Sequence, residues 1–170
     1  MMDSKELWKL NKELNRIGNE LFDKGKKLPG PINIELNLGA TKIRNTIIKS
    51  MRDTPKTGRH YRRGKSGKAH IASSPGNPPA IDYGELVRSI MYDVRDMELE
   101  AGVAGGAPYA VFLEGGTYEF SEKHMLASEK MESRPFLGPA VEKHYKEIIS
   151  NVGNAAFEVI KQGFDKGGIL

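Results

Sequence analysis

Ala107-Pro-Tyr-Ala-Val-Phe-Leu-Glu-Gly-Gly-Thr117, answered about twenty residues later by Arg134-Pro-Phe-Leu-Gly-Pro-Ala140, decides how the rest of the chain is read. Tyr109 to Leu113 is a run of apolar and aromatic side chains around Ala110, dense enough to be buried. Gly115-Gly116 stops the element that carries them, because glycine adopts backbone angles that other residues resist. Arg134-Pro135 starts a new element: proline fixes its own φ and pushes its predecessor toward an extended conformation. Phe136 and Leu137 are apolar anchors, and Gly138-Pro139 suits a helix start, where proline is tolerated in the first turn. The spacing therefore predicts a short helix, a turn, a polar segment and a second pinned point that launches a long helix. Neither stretch has the residue types of an active site.

Working outward, Pro139 to about Gly167 is predicted as the longest helix, with Val141, Tyr145, Ile148, Ile149, Val152, Ala156, Val159, Ile160 and Phe164 on one broad face. Gly153 is a weak point inside it. Between the two motifs, Tyr118 to Ser133 is polar with scattered methionines and reads either as a strand and loop or as a flexible excursion. Upstream, Met91–Asp96 and Leu99–Val103 alternate apolar and polar residues around Arg95-Asp-Met-Glu98, the pattern of a hairpin. Asp82–Ile90 reads as a short helical turn. Tyr118–Ser133 aside, this half of the chain is locally consistent.

The N-terminal half opens with a helix over Ser4–Gly25. Leu7, Leu10, Leu14, Ile17 and Leu21 recur at spacings 3, 4, 3, 4, flanked by Trp8 and Phe22. Such a stripe packs on its own domain or against a neighbouring copy as a coiled-coil-like seam. Leu28-Pro-Gly-Pro31 reads as a break. Ile32, Ile34, Leu36 and Leu38 then alternate with polar residues, which predicts a short strand. Ala40–Asp53 is a second helix, with Ile43, Ile47, Ile48 and Met51 inward and Lys42, Arg44, Lys49 and Arg52 outward; Thr54-Pro55 ends it. The domain division that follows is 1–28, an amphipathic helix, and 29–170, a single α+β unit.

From Thr54 to Ile81 no acidic residue occurs, while Lys56, Arg59, Arg62, Arg63, Lys65 and Lys68 lie among Gly58, Gly64 and Gly67. This is the composition of a mobile basic loop, closed by the proline-rich Ser73–Pro79. It contacts phosphate backbones without reading sequence, or meets an acidic patch on another subunit, or is simply solvated.

Composition and motif spacing narrow the chemistry. The 170 residues include no cysteine, so disulfides and thiolate metal sites are excluded. Hydrophobic residues are 38%, charged residues 28% and net charge +4, a globular chain with many loops. No run approaches a membrane span, and the polar N-terminus does not read as a signal peptide, so cytoplasmic synthesis is expected. His60, His70, His124 and His144 are not spaced as metal ligands. Gly102-Val-Ala-Gly-Gly-Ala-Pro108 has neither phosphate-loop spacing, and Ser73 and Ser74 lack a nucleophile-elbow context. Glu114 is conceivable as a general base, but without a partner acid, nucleophile or metal its economical role is hydrogen bonding or pairing at the helix end, with Arg134 one candidate partner. The expectation is no enzyme, no cofactor and no metal.

Five pieces, in order, resemble one family: Thr54-Pro-Lys-Thr-Gly58, Ala72–Ala80, Tyr83-Gly-Glu-Leu-Val-Arg-Ser-Ile90, Tyr109–Thr117 and Arg134–Ala140. It is the tail-completion, or head–tail joining, family of long-tailed bacteriophages and prophages, and the resemblance covers roughly Ile43 to Ile149. Its most specific pieces are Tyr109, Phe112, Glu114, Gly115, Gly116 and Thr117 with Arg134, Pro135 and Phe136. Many members run directly from the Thr-Gly pair to the Leu-x-x-Ser-Ile piece; here Arg59 to Tyr83 intervenes. The resemblance implies an α+β subunit, an antiparallel sheet covered on one face by helices. It also implies a homo-oligomeric ring in the virion neck, between the head connector or adaptor and the tail-tube or tail-terminator protein. Leu7, Leu10, Leu14 and Ile17 are then candidate subunit contacts, and Lys56 to Lys68 faces passing DNA or the next ring. The competing reading is a monomeric basic nucleic-acid-binding module, although Tyr61 alone interleaves the charges.

Overall fold

The computed structural model describes residues 4–62, 69–117 and 131–164. In chain order these form α1 (Ser4–Gly25), α2 (Pro29–Asp53), β1 (His60–Arg62), β2 (Ala69–Ile71), α3 (Glu85–Ser89), β3 (Ile90–Arg95), β4 (Glu98–Val103), α4 (Ala110–Gly115) and α5 (Gly138–Phe164). The class is α+β: an antiparallel β3–β4 sheet packs against helices, with α2 lying against both strands and against α5. The core is built from Ile32, Leu36, Ile43, Ile47 and Met51 of α2. Leu86, Ile90, Phe136, Ala140 and Ile148 close over them.

The hairpin is where the alternation places it. Ile90 pairs with Val103, Tyr92 with Ala101 and Val94 with Leu99, and this set faces the core. Its two-residue turn has positive φ at both Asp96 and Met97, the mirror-image turn whose twist matches that of the strands. Asn33 Oδ1 accepts the Met97 N–H at 3.0 Å and fastens that turn to α2.

Residues 32–38, expected as a strand, are the first part of α2. Pro29 and Pro31 do not break the chain here but occupy the first helical turn, where a missing N–H removes nothing from the ladder. The apparent alternation has a helical cause: Ile32 and Leu36 are buried one turn apart, while Ile34 and Leu38 look the other way, 62% and 53% exposed. Arg44, expected outward, is half-buried and its Nε donates to the Ile90 carbonyl at 3.1 Å.

The segment expected as a basic loop over Thr54–Ile81 contains a paired stem. His60 pairs with Ile71, Tyr61 with His70 and Arg62 with Ala69, extended by Gly58 N–H to Ala72 O at 2.8 Å and Ala72 N–H to Arg59 O at 3.0 Å. Residues 63–68, between the strands, lie outside the described part, as do residues 118–130 of the segment expected as a strand and loop or an excursion. The remaining boundaries shift by a few residues: α3 is shorter than Asp82–Ile90 because Ile90 already opens β3, and α5 begins at Gly138.

Antiparallel α2 and α5 pass close together at Gly39, where an added Cβ would sit 2.6 Å from Ile148 Cγ1. Lys42 with Glu147, and Thr46 Oγ1 with His144 Nε2 at 2.8 Å, continue the seam on the same register. Alanine normally favours a helix over glycine by about 1 kcal/mol. Gly39→Ala is nevertheless expected to destabilise the protein by about 1–3 kcal/mol in chemical denaturation, since Ile148 is branched and stiff. Combining it with Ile148→Val should recover part of that loss.

Candidate functional site

The two opening motifs meet as one hydrogen-bonded knot. Glu114, at the end of α4, turns its carboxylate to the start of α5. Its Oε2 accepts the N–H groups of Phe136 at 2.8 Å and Leu137 at 3.0 Å, and its Oε1 accepts that of Gly138 at 2.8 Å. The first turn of a helix has no intrahelical acceptors for its N–H groups, and its dipole favours a negative charge there. A side chain more than twenty residues upstream thus caps α5. Gly138 suits the approach, because a Cβ there would lie 3.2 Å from Glu114 Oε1.

Hydrogen bonding of Glu114 at the helix end is thus as expected, but Arg134 is not its partner. Arg134 Nε instead donates to Ser73 O at 3.1 Å and Nη1 to Glu132 O at 3.3 Å, while its backbone N–H bonds Leu113 O at 2.6 Å. Carboxylate and guanidinium each serve backbone groups. Gly116, at φ 76°, makes the turn that lets Thr117 N–H reach Met131 O at 2.9 Å. A Cβ on Gly116 would lie 2.9 Å from that same oxygen. Thr117 Oγ1 in return accepts the Met131 N–H at 2.8 Å. Phe136 is 3% exposed and carries the knot into the core, with Phe112 and Pro135 half-buried and Tyr109 at the surface.

Beside the knot lies a cleft of about 260 Å³, lined by His70, Asp82, Tyr83, Tyr109, Leu113 and Arg134 among others. His70 Nδ1 is 3.4 Å from Asp82 Oδ1. Ser73 also borders the cleft, but its wholly enclosed hydroxyl has no hydrogen-bond partner, so it is not joined to His70 as a nucleophile is to its base. Among the described residues, no group of three or more His, Asp or Glu is placed to hold a metal ion.

The other candidate residues are scattered. Lys56 and Arg59 are exposed between α2 and β1, and Arg62 ends β1. Arg63, Lys65 and Lys68 lie outside the described residues. Leu7 and Leu10 belong to α1, with side chains outside the description; Leu14 is 58% exposed and Ile17 half-buried. Of the described part of the α1 stripe, only Ile17 is half-covered, while Leu14, Leu21 and the flanking Phe22 are exposed. Its charged flank is self-contained: Arg16 bonds Glu13 and Glu20, and the Glu13 carboxyl is held below its ordinary pKa by Arg16.

Comparison of the chain with protein-family models, with characterised proteins and with solved structures found no match.

Glu114→Ala removes the acceptor from three N–H groups and is expected to cost about 2–4 kcal/mol in urea denaturation. Glu114→Gln, which keeps one acceptor oxygen, should lose about half as much. A residue held for general-base chemistry would give the opposite result, with stability unchanged by the glutamine.

Proposed function

We propose that this chain is a structural protein of a long-tailed bacteriophage neck, assembling as a ring that joins the head connector to the tail tube. The observation that supports this most is the union of the two segments on which the family resemblance rests. Tyr109–Thr117 and Arg134–Ala140 hold each other through the Glu114 carboxylate and the Leu113 carbonyl. Their joint occurrence thus has one physical cause, a rigid centre from which α5 is launched.

Uncovered apolar surface adds to the reading. Leu14 and Phe22 of α1, and Tyr145, Ile149 and Phe157 of α5, are each more than half exposed. α1 lies against α5, so the two exposed sets belong to adjoining elements. Such surface is the ordinary material of contacts between subunits. The basic stem then carries Lys56, Arg59 and Arg62 to the ring lumen or the adjacent ring, where weak, salt-sensitive contact with passing DNA permits sliding. The working location is the virion neck, reached from the host cytoplasm during assembly.

Mass measurement of the purified protein, alone and with tail-tube protein, tests the reading. A discrete closed oligomer in at least one of these conditions is expected, and a monomer in both would overturn it. Removing residues 1–25 should lower the oligomer mass or abolish association, whereas an unaltered mass removes α1 from the contact. Replacing Arg59, Arg62, Arg63 and Lys65 by serine should reduce DNA retention in particles with assembly intact. Tight DNA binding by a monomer, steeply dependent on salt, would instead favour a free nucleic-acid-binding module.

A further inference from the structure

The two ends of α2 carry opposite charge. At the N-terminal end, the bond from Met97 to Asn33 sets the tip of the β3–β4 hairpin beside the helix. Tyr92 reaches α2 through Thr41 at 3.1 Å, and Val94, Leu99 and Val103 pack on the core. Strand alternation therefore turns Asp93, Arg95, Glu98 and Glu100 to the opposite face of the hairpin. On that face Asp93 stands opposite Glu100 and Arg95 opposite Glu98. With Asp96 in the turn, four carboxylates and one guanidinium leave a net −3. Like charges directly opposed weaken a ladder. Arg95 pairs with Asp93, while Asp96, Glu98 and Glu100 have no ion pair among the described residues.

From Asn33 to Arg52 the helix rises about 28 Å, at 1.5 Å per residue. At this far end Lys49, Arg52 and Lys56 are exposed close in sequence to Asp53, three cations and one carboxylate, a net +2. Lys49, Arg52 and Lys56 have no ion pair among the described residues. The two patches oppose in sign, and the carboxylates lie on the hairpin face turned away from α2, so the patches do not pair within one molecule. No three carboxylates of the acidic patch are placed to hold a metal ion, so a cation site does not account for it.

We propose that the acidic outer face of the β3–β4 hairpin docks, head to tail, on the basic C-terminal end of α2 in a second copy of this chain. A contact between unlike surfaces leaves one free patch of each sign at the ends, so it propagates until a rotation closes it. Electrostatic matching of this kind fixes orientation and register, and salt weakens it. The proposal deepens the ring reading by naming the surfaces that join, and its test separates the two.

The test uses the full chain and two surface variants, Glu98→Lys with Glu100→Lys, and Arg52→Glu with Lys56→Glu. Association is measured by sedimentation in 50 mM and 500 mM NaCl, with far-UV circular dichroism to verify folding. Wild type is expected to associate at least tenfold more weakly at the higher salt. Each variant alone, now carrying like charges at both ends, should associate at least tenfold more weakly than wild type. Mixing the two variants one to one should restore association, since every junction in an alternating assembly again pairs opposite signs. Wild-type assembly that ignores salt and both reversals, or variants that mixing does not rescue, would overturn the proposal and leave the ring reading standing. A wild type that is monomeric both alone and with tail-tube protein would overturn both. Loss of DNA binding in the Arg52→Glu, Lys56→Glu variant with assembly unchanged would reassign the basic end to nucleic acid, and so overturn the head-to-tail contact.

Discussion

Three backbone N–H groups at the start of α5 converge on one carboxylate, and much of the chain is arranged so that Glu114 can supply it. A 27-residue helix that begins at Gly138 has no local side chain to satisfy its first turn. Pro139, next in sequence, has no N–H to donate, and Phe136 is committed to the core. The acceptor therefore comes from α4, whose final turn is closed by Gly116 so that Leu113 O and Thr117 can also bind the returning strand. Arg134 extends the same network to Ser73, which ties the base of the β1–β2 stem to the helix start. Separate parts of the sequence are joined chiefly by side chains bonded to main-chain groups, with main-chain bonds beside them.

α2 gives this region something to rest on. Its buried face, Ile32 to Met51, touches the hairpin on one side and α5 on the other. The close passage at Gly39 fixes the distance between α2 and α5, because Ile148 fills the space a side chain would need. A well-packed interior has no slack at such a crossing. The Lys42–Glu147 pair outside it is exposed and contributes register more than energy, although Lys42 holds the Glu147 carboxyl below its ordinary pKa.

What was legible in the sequence was local. The 3, 4, 3, 4 spacing in α1, the alternation of β3 and β4 and the apolar run of α4 each depend on neighbours within one turn or one strand pair. The start of α2 was illegible because two patterns overlap there. Its outward face carries Ile34 and Leu38, so a helical stripe and an exposed pair together imitate period two. The β1–β2 stem was hidden for another reason: strands of three residues, His60-Tyr-Arg62 and Ala69-His-Ile71, are too short to show a period of two. For Glu114, hydrogen bonding at the helix end was legible but its partners were not: charge pointed to Arg134, whereas the donors are backbone amides. Backbone donors are the same at every non-proline residue, so no residue type announces them. The close contact at Gly39 and the Thr46–His144 bond were likewise invisible, since both depend on how two distant helices are set.

The distribution of satisfied and unsatisfied groups separates the centre of the molecule from its edges. At the centre, Glu114 and Arg134 spend themselves on main-chain groups, and Thr117 is only 8% exposed. At the edges, carboxylates outnumber the one guanidinium on the outer face of β3–β4, and Ile34, Leu38, Phe22 and Phe157 hold apolar surface in water. An isolated molecule gains nothing from either arrangement: opposed carboxylates weaken their own ladder, and exposed rings are poorly hydrated. Both become favourable once a second surface removes water and supplies the missing charge. The physical asymmetry therefore runs from a centre held largely by its own hydrogen bonds, with the Ser73 hydroxyl the exception, to a periphery that contact with a second surface would complete, as proposed above.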